Sequence, residues 1–147
     1  MAHVRKSIRD NIVTTLTGLS ATGSRVYPTR VYPIAEGLLP GLAVYTRSEE
    51  VLNSTITIGR NLIRTMTVAV EIYAKGVTGL DDTVDAIASE IEVALSTDVT
   101  RGGLAKDTRI LSFESDFSGD PDQPVGTGTI TVEVDYVTIE GAPEVAV

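Results

Sequence analysis

Apolar residues recur at helical spacing near the start and in the middle of the chain. Val4, Ile8, Ile12, Leu16 and Leu19 form one stripe, which predicts a helix over 4–19 with Arg5, Lys6, Arg9 and Asp10 off the stripe. Gly18 and the small polar run at 20–24 end it. Leu80, Val84, Ile87, Ala88, Ile91 and Leu95 form the second stripe and predict a helix over 80–96. Thr78 and Asp81 have capping-box spacing, with Asp in place of the preferred Glu or Gln, and Asp81 and Asp82 sit where the helix dipole favours negative charge.

Elsewhere the period is two residues, the signature of a strand with one face buried. Met66, Val68, Val70 and Ile72 oppose Thr65, Thr67, Glu71 and Tyr73 within a strand over 63–74. A strand over 108–117 places Leu111, Phe113 and Phe117 together. Another over 127–139 sets Ile130, Val132, Val134 and Tyr136 against Thr129, Thr131, Glu133 and Asp135. A slip of one residue would expose each apolar set, so register is well specified. The doubled motif Arg25-Val26-Tyr27-Pro28 and Arg30-Val31-Tyr32-Pro33 reads as short extended pieces, which the prolines confine to an edge. Gly37, Pro40 and Gly41 turn into a buried strand over 42–46. Residues 47–62 read as a strand–turn–strand arm, with Ile56 and Ile58 opposite Thr55 and Thr57 and a turn at Gly59-Arg60-Asn61. The Gly102-Gly103 loop over 97–107 is expected to be mobile, 118–126 to be a hairpin loop, and the tail 141–147 to be loose. Strands cluster between and after the helices and do not alternate with them. The expected fold is α+β: a two-layer sandwich of a mixed, mainly antiparallel sheet with two helices packed on one face.

Composition narrows the function more than the fold. The 147 residues suit a single domain spanning 1–147. A net charge of −8 leaves no basic footprint for nucleic acid. No apolar run approaches the roughly 18 residues of a membrane span, and the cations at the start have no apolar stretch behind them, so no secretory signal is read. The absence of cysteine removes disulfides, thiolate metal sites and cysteine nucleophiles. His3 is the lone histidine and lies at the terminus, a poor place for acid–base work that needs rigid positioning. Phosphate-binding glycine loops are missing, and Gly126-Thr127-Gly128 is too short to be one. Asp116, Asp120 and Asp122, with Glu114 nearby, offer oxygen ligands for a hard cation, but they lack EF-hand spacing, and Pro121 and Pro124 suit a plain turn. Asn53-Ser54-Thr55 matches a glycosylation pattern that has no meaning without a signal peptide. No catalytic residue, metal ligand or cofactor is therefore expected, and no enzymatic activity. The threonine- and acid-rich strand face is either a solvated surface or one that meets a partner subunit or channel.

The order of elements carries a resemblance. A basic first helix precedes a Val-Tyr-Pro segment, Leu39-Pro40-Gly41-Leu42-Ala43-Val44-Tyr45, an acidic step at Glu49-Glu50, and the strand from Met66 to Tyr73. A helix opening Leu80-Asp81-Asp82 follows, then a last strand containing Val134-Asp135-Tyr136. This layout resembles the tail terminator proteins of long-tailed phages, of the lambda minor tail protein U type. The resemblance implies a small α/β subunit that forms a hexameric ring at the head-proximal end of the tail. Such a ring stops tail-tube polymerisation and offers the head-joining surface. The implied partners are further copies of the chain, the tail tube protein and a head–tail connector protein, with DNA passing through without specific binding and no membrane. The implied location is the virion, after assembly in the host cytoplasm. In that setting Glu71, Glu133 and Asp135 are candidates for an acidic lumen that repels phosphate. Arg5, Lys6, Arg9, Arg47, Glu49, Glu50 and Arg60 are candidates for contact with a neighbouring subunit or the tube. The rival for the helix cations is that they merely solubilise a surface helix. The alternatives are another neck component or tube subunit, and a small ligand-binding domain.

Overall fold

The two periodicities sort the chain into layers. In a computed structural model, which describes residues 2–28, 40–53, 56, 58–75, 79–118 and 125–147, the elements follow the order α1 (Val4–Leu16), β1 (Val26–Tyr27), β2 (Gly41–Asn53), β3 (Asn61–Lys75), α2 (Leu80–Ser96), β4 (Asp107–Ser118), β5 (Val125–Ile139) and β6 (Ala142–Ala146). The sheet runs β1-β2-β3-β5-β4, with β6 also on β5. Among the described residues only the β1–β2 pairing is parallel. The apolar stripes Val4, Ile8, Ile12, Leu16 and Val84, Ile87, Ile91, Leu95 pack with Leu42, Val44, Met66, Val68, Val70, Ile72, Ile130, Val132, Val134 and Tyr136 in one core. Both helices therefore cover the same sheet face, and the fold is the expected α+β two-layer sandwich.

Four local differences from the sequence reading have physical causes. Helix α1 stops at Leu16, short of Leu19. Gly18 takes φ 97°, a left-handed conformation that suits glycine, and Leu19 turns back to bridge Gly23 while still packing on the core. The start of α2 is capped by the Gly79 backbone and not by a side chain; Thr78 lies outside the described residues, as do Thr55, Thr57, the second Val-Tyr-Pro motif and the tip of the 118–126 loop. The loop after α2 is pinned. The Asp98 carboxylate accepts from Thr100 N (3.0 Å), Thr100 Oγ1 (2.6 Å) and Gly102 N (2.8 Å), while the buried Arg101 donates Nη2 to the α2 carbonyl of Leu95 at 2.6 Å and to that of Asp98. A cation on the last carbonyls satisfies groups the helix cannot pair itself. The C-terminal tail is strand β6, because β4 covers the β5 edge only as far as Asp135 and leaves Val137–Ile139 to be paired.

Two β-bulges matter most for side-chain placement. Register shifts between Thr46 and Ser48 in β2, and between Ile110 and Ser112 in β4. Each inserted residue reverses which positions face the helices. Beyond the first bulge Glu49 pairs with the core residue Met66 and points to the helix side.

Candidate functional site

The sheet face opposite the helices is assembled from the odd-numbered positions of β3 and β5 and their register partners. Successive rows across it read Leu52, Ile63, Val137; then Glu50, Thr65, Asp135, Asp107; then Ser48, Thr67, Glu133, Arg109. Further on come Tyr45, Ala69, Thr131, Ser112, and Ala43, Glu71, Thr129, Glu114. One end is therefore apolar and the middle is charged. Among the described residues of this face, seven carboxylates (Glu50, Glu71, Asp107, Glu114, Asp116, Glu133 and Asp135) stand against the cations Lys75 and Arg109. The expected lumen acids Glu71, Glu133 and Asp135 do share this face. On β4 the alternation that turns Phe113 inward also puts Glu114 and Asp116 on this face, whereas Asp107 and Arg109 reach it only because the bulge at Leu111 reverses the alternation.

These acids are not equivalent. Arg109 donates to Asp135 (2.6 Å), Glu133 (2.6 Å) and Asp107 (3.0 Å), and Thr65 donates to Asp135 at 3.0 Å. The Arg109 guanidinium, against a smaller opposing effect of burial, holds the Asp135 carboxyl below the usual carboxylate range. Glu71 is buried and accepts from the hydroxyls of both Tyr45 and Tyr73. Glu114 and Asp116 remain exposed.

The residues expected at an interface divide in the same way. Arg5 reaches from α1 to Glu49 at 2.7 Å, Arg64 donates to the same carboxylate at 2.9 Å, and the buried Tyr136 hydroxyl donates to its other oxygen. Burial pushes the Glu49 carboxyl up, but the bonds from Arg5, Tyr136 and Arg64 together outweigh it and hold the group below its ordinary value. Glu49 thus ties α1 to β2, β3 and β5. Lys6 pairs with Asp10 at 2.6 Å on the exposed side of α1, and Arg9 donates to Thr46 at 3.3 Å. Arg47 and Glu50 are exposed, and Arg60 makes a loose 3.9 Å pair with Glu140.

His3 has a structural task. Its Nδ1 accepts the Arg5 backbone N–H at 3.0 Å and caps α1, which requires an unprotonated nitrogen. Burial, then the nearby Arg5 charge, lowers its pKa from 6.5. A depressed folded-state value means the unfolded chain binds the proton more readily. The cap's contribution is thus complete above pH 6.5 and is lost as pH falls through the folded-state value. His3→Ala is expected to lower stability by about 1 kcal/mol at pH 8 and to remove this acid-side slope, both read from urea melts across pH.

At the sheet edge, β4 pairs on one side only among the described residues, and Ile110, Leu111 and Phe113 are exposed there. Between β4 and α2 lies a cleft of about 250 Å³, floored by Ile110, Phe113, Ile130 and Ala88 and walled by Asp85 and Glu92. On the arm between β2 and β3, Leu52 is largely exposed and Ile56 and Ile58 fully so. Among the described residues no three His, Asp or Glu side chains converge to hold a metal ion; Asp120 and Asp122 fall outside them. No described helix is long and apolar enough to cross a membrane.

No protein-family model matches the chain, and no curated protein matches it. One solved structure, titled as the virion of a native gene transfer agent (GTA) particle, aligns over 90% of this chain and 92% of its own, with a TM-score of 0.41 and 16% identity. That likeness is too slight to bear on function.

Proposed function

We propose that the chain is a structural virion subunit that forms a ring at the head-proximal end of a phage-like tail, ends tube growth and offers the head-joining surface. The observation that carries this reading is the pair of unlike free surfaces on one sheet. The β4 edge exposes Ile110, Leu111 and Phe113, and the β2–β3 arm exposes Leu52, Ile56 and Ile58. Unlike surfaces on one subunit join copies head to tail, and a head-to-tail contact that closes makes a ring. The order of sequence elements shared with tail terminators supports the same reading.

In this role the acidic sheet face lines the passage. Its carboxylates repel DNA phosphate, so the duplex passes without sticking. Glu114 and Asp116, exposed and without an arginine partner among the described residues, contribute most to that field; Glu133 and Asp135 are partly offset by Arg109. The function is geometric, and no reaction is proposed. One rim meets the tail tube protein and the other the head–tail connector protein.

Deleting the gene from the particle that encodes it tests this. Tails of irregular or excess length, separate from filled heads, are expected by electron microscopy. Joined particles with tails of normal length would refute the assignment.

A further inference from the structure

We infer that His3 is a pH-sensitive clasp on the first turn of α1: neutral, it caps the helix; protonated, it exchanges the cap for Glu144 on β6 and lets the turn open. The inference goes beyond the ring reading and does not depend on it. Geometry sets the conflict. Nδ1 accepts the Arg5 backbone N–H at 3.0 Å, and Nε2 lies 3.4 Å from Arg5 Nη2. Both ring nitrogens therefore face N–H groups of one residue. A neutral imidazole has a lone pair for one of them, and a protonated ring has none. Protonation thus replaces the cap with two donor–donor contacts and sets a new cation beside the Arg5 guanidinium. The His3 carbonyl accepts from Lys6 N (2.9 Å) and Ser7 N (3.3 Å), so one residue holds the whole first turn.

The surrounding charges give the protonated ring a place to go. Arg5 on α1 and Arg64 on β3 disfavour the cation, while Glu49 on β2 and Glu144 on β6 favour it. Glu49 is already engaged by Arg5, by Arg64 and by the Tyr136 hydroxyl of β5. Glu144 makes no ion pair among the described residues, and its strand packs against α1. A histidinium that leaves Arg5 for Glu144 gains a counter-charge and sheds a like-charged neighbour. Release stops at the first turn, because Ile8, Ile12 and Leu16 are fully buried and keep the rest of α1 on the sheet. Burial, then the Arg5 charge, holds the capped ring below its ordinary 6.5. The opened turn takes up the proton first, so the open population rises as pH falls below 6.5. Glu49 titrates below 4.5 and keeps its charge meanwhile.

Amide hydrogen exchange of the full chain, followed by NMR between pH 6.5 and 4.5, tests the clasp. Protection of the Arg5, Lys6 and Ser7 amides, normalised to free-peptide rates, is expected to fall by up to about tenfold per pH unit, the limit for one proton. Val68 and Val70 in β3 are expected to keep theirs. His3→Asn retains a side-chain acceptor at the cap but does not titrate in this range, and is expected to hold the three amides' protection constant. Glu144→Gln is expected to weaken the acid-driven loss several-fold. Constant protection in the wild-type chain, or the same loss in His3→Asn, would overturn the clasp. A loss shared by Val68 and Val70 would overturn local opening, and a loss indifferent to Glu144→Gln would overturn Glu144 as the second partner.

Discussion

Glu49→Ala is expected to destabilise the chain by about 3–4 kcal/mol, the usual cost of removing one partner from a buried ion pair. Glu49 and Arg64 are both largely buried, with side chains 8% and 11% exposed. Without the carboxylate, Arg64 keeps its bond to Thr138 but loses its counter-charge, and the Tyr136 hydroxyl is left without its acceptor inside the core. Arg5 is more exposed and rehydrates, so it adds less to the loss. Glu50→Ala next door, on an exposed side chain, is expected to change stability by no more than about 0.5 kcal/mol. Urea melts at constant m-value compare the two. The pH dependence separates the ion network from simple packing. The Glu49 carboxyl sits below its ordinary 4.5 in the folded chain. The unfolded chain thus takes up the proton first, so the contribution is complete above pH 4.5 and disappears as pH falls through the folded-state value. The wild-type chain loses stability over that acid range, and Glu49→Ala loses less.

Gly128→Val is expected to cost about 2–3 kcal/mol through overpacking. The reason is close approach, not backbone conformation. A Cβ at position 128 would lie 2.7 Å from Val84 Cγ1 and 2.9 Å from Phe113 Cε2. Val84 is fully buried on α2 and has nowhere to go, while Phe113, partly exposed at the sheet edge, gives way more easily, so the Val84 clash sets the cost. Val84→Ala combined with Gly128→Ala is expected to cost less than the sum of the single changes, because the smaller side chain opens the space the new methyl needs. Denaturation midpoints of the three variants measure this directly.

Much of the architecture was readable from side-chain period alone. The limits of α2, the inward residues of β3 and β5, and the covering of one sheet face all follow from apolar residues spaced at helical or alternate positions. What escaped is what periodicity cannot carry. The bulges at Arg47 and Leu111 reverse the alternation without any change in composition, so Glu49 was placed at a surface when it faces the core. The Arg101 cap on α2, made from a left-handed backbone at φ 51°, sits in a loop whose glycines suggested mobility, and no periodicity marks it. The tail at β6 pairs only because a strand remote in sequence ends early. On the candidate face, the shared position of Glu71, Glu133 and Asp135 was legible from spacing. The Arg109 clamp and the tyrosine hydroxyls on Glu71 depend on strand neighbours that sequence spacing does not identify.

A count of copies per particle bears most directly on the ring. Quantitative mass spectrometry of purified particles, compared between tails of different length, should find a small fixed number, about six per particle for a single closed ring. A copy number that grows in proportion to tail length would make the chain a tube subunit and contradict the account.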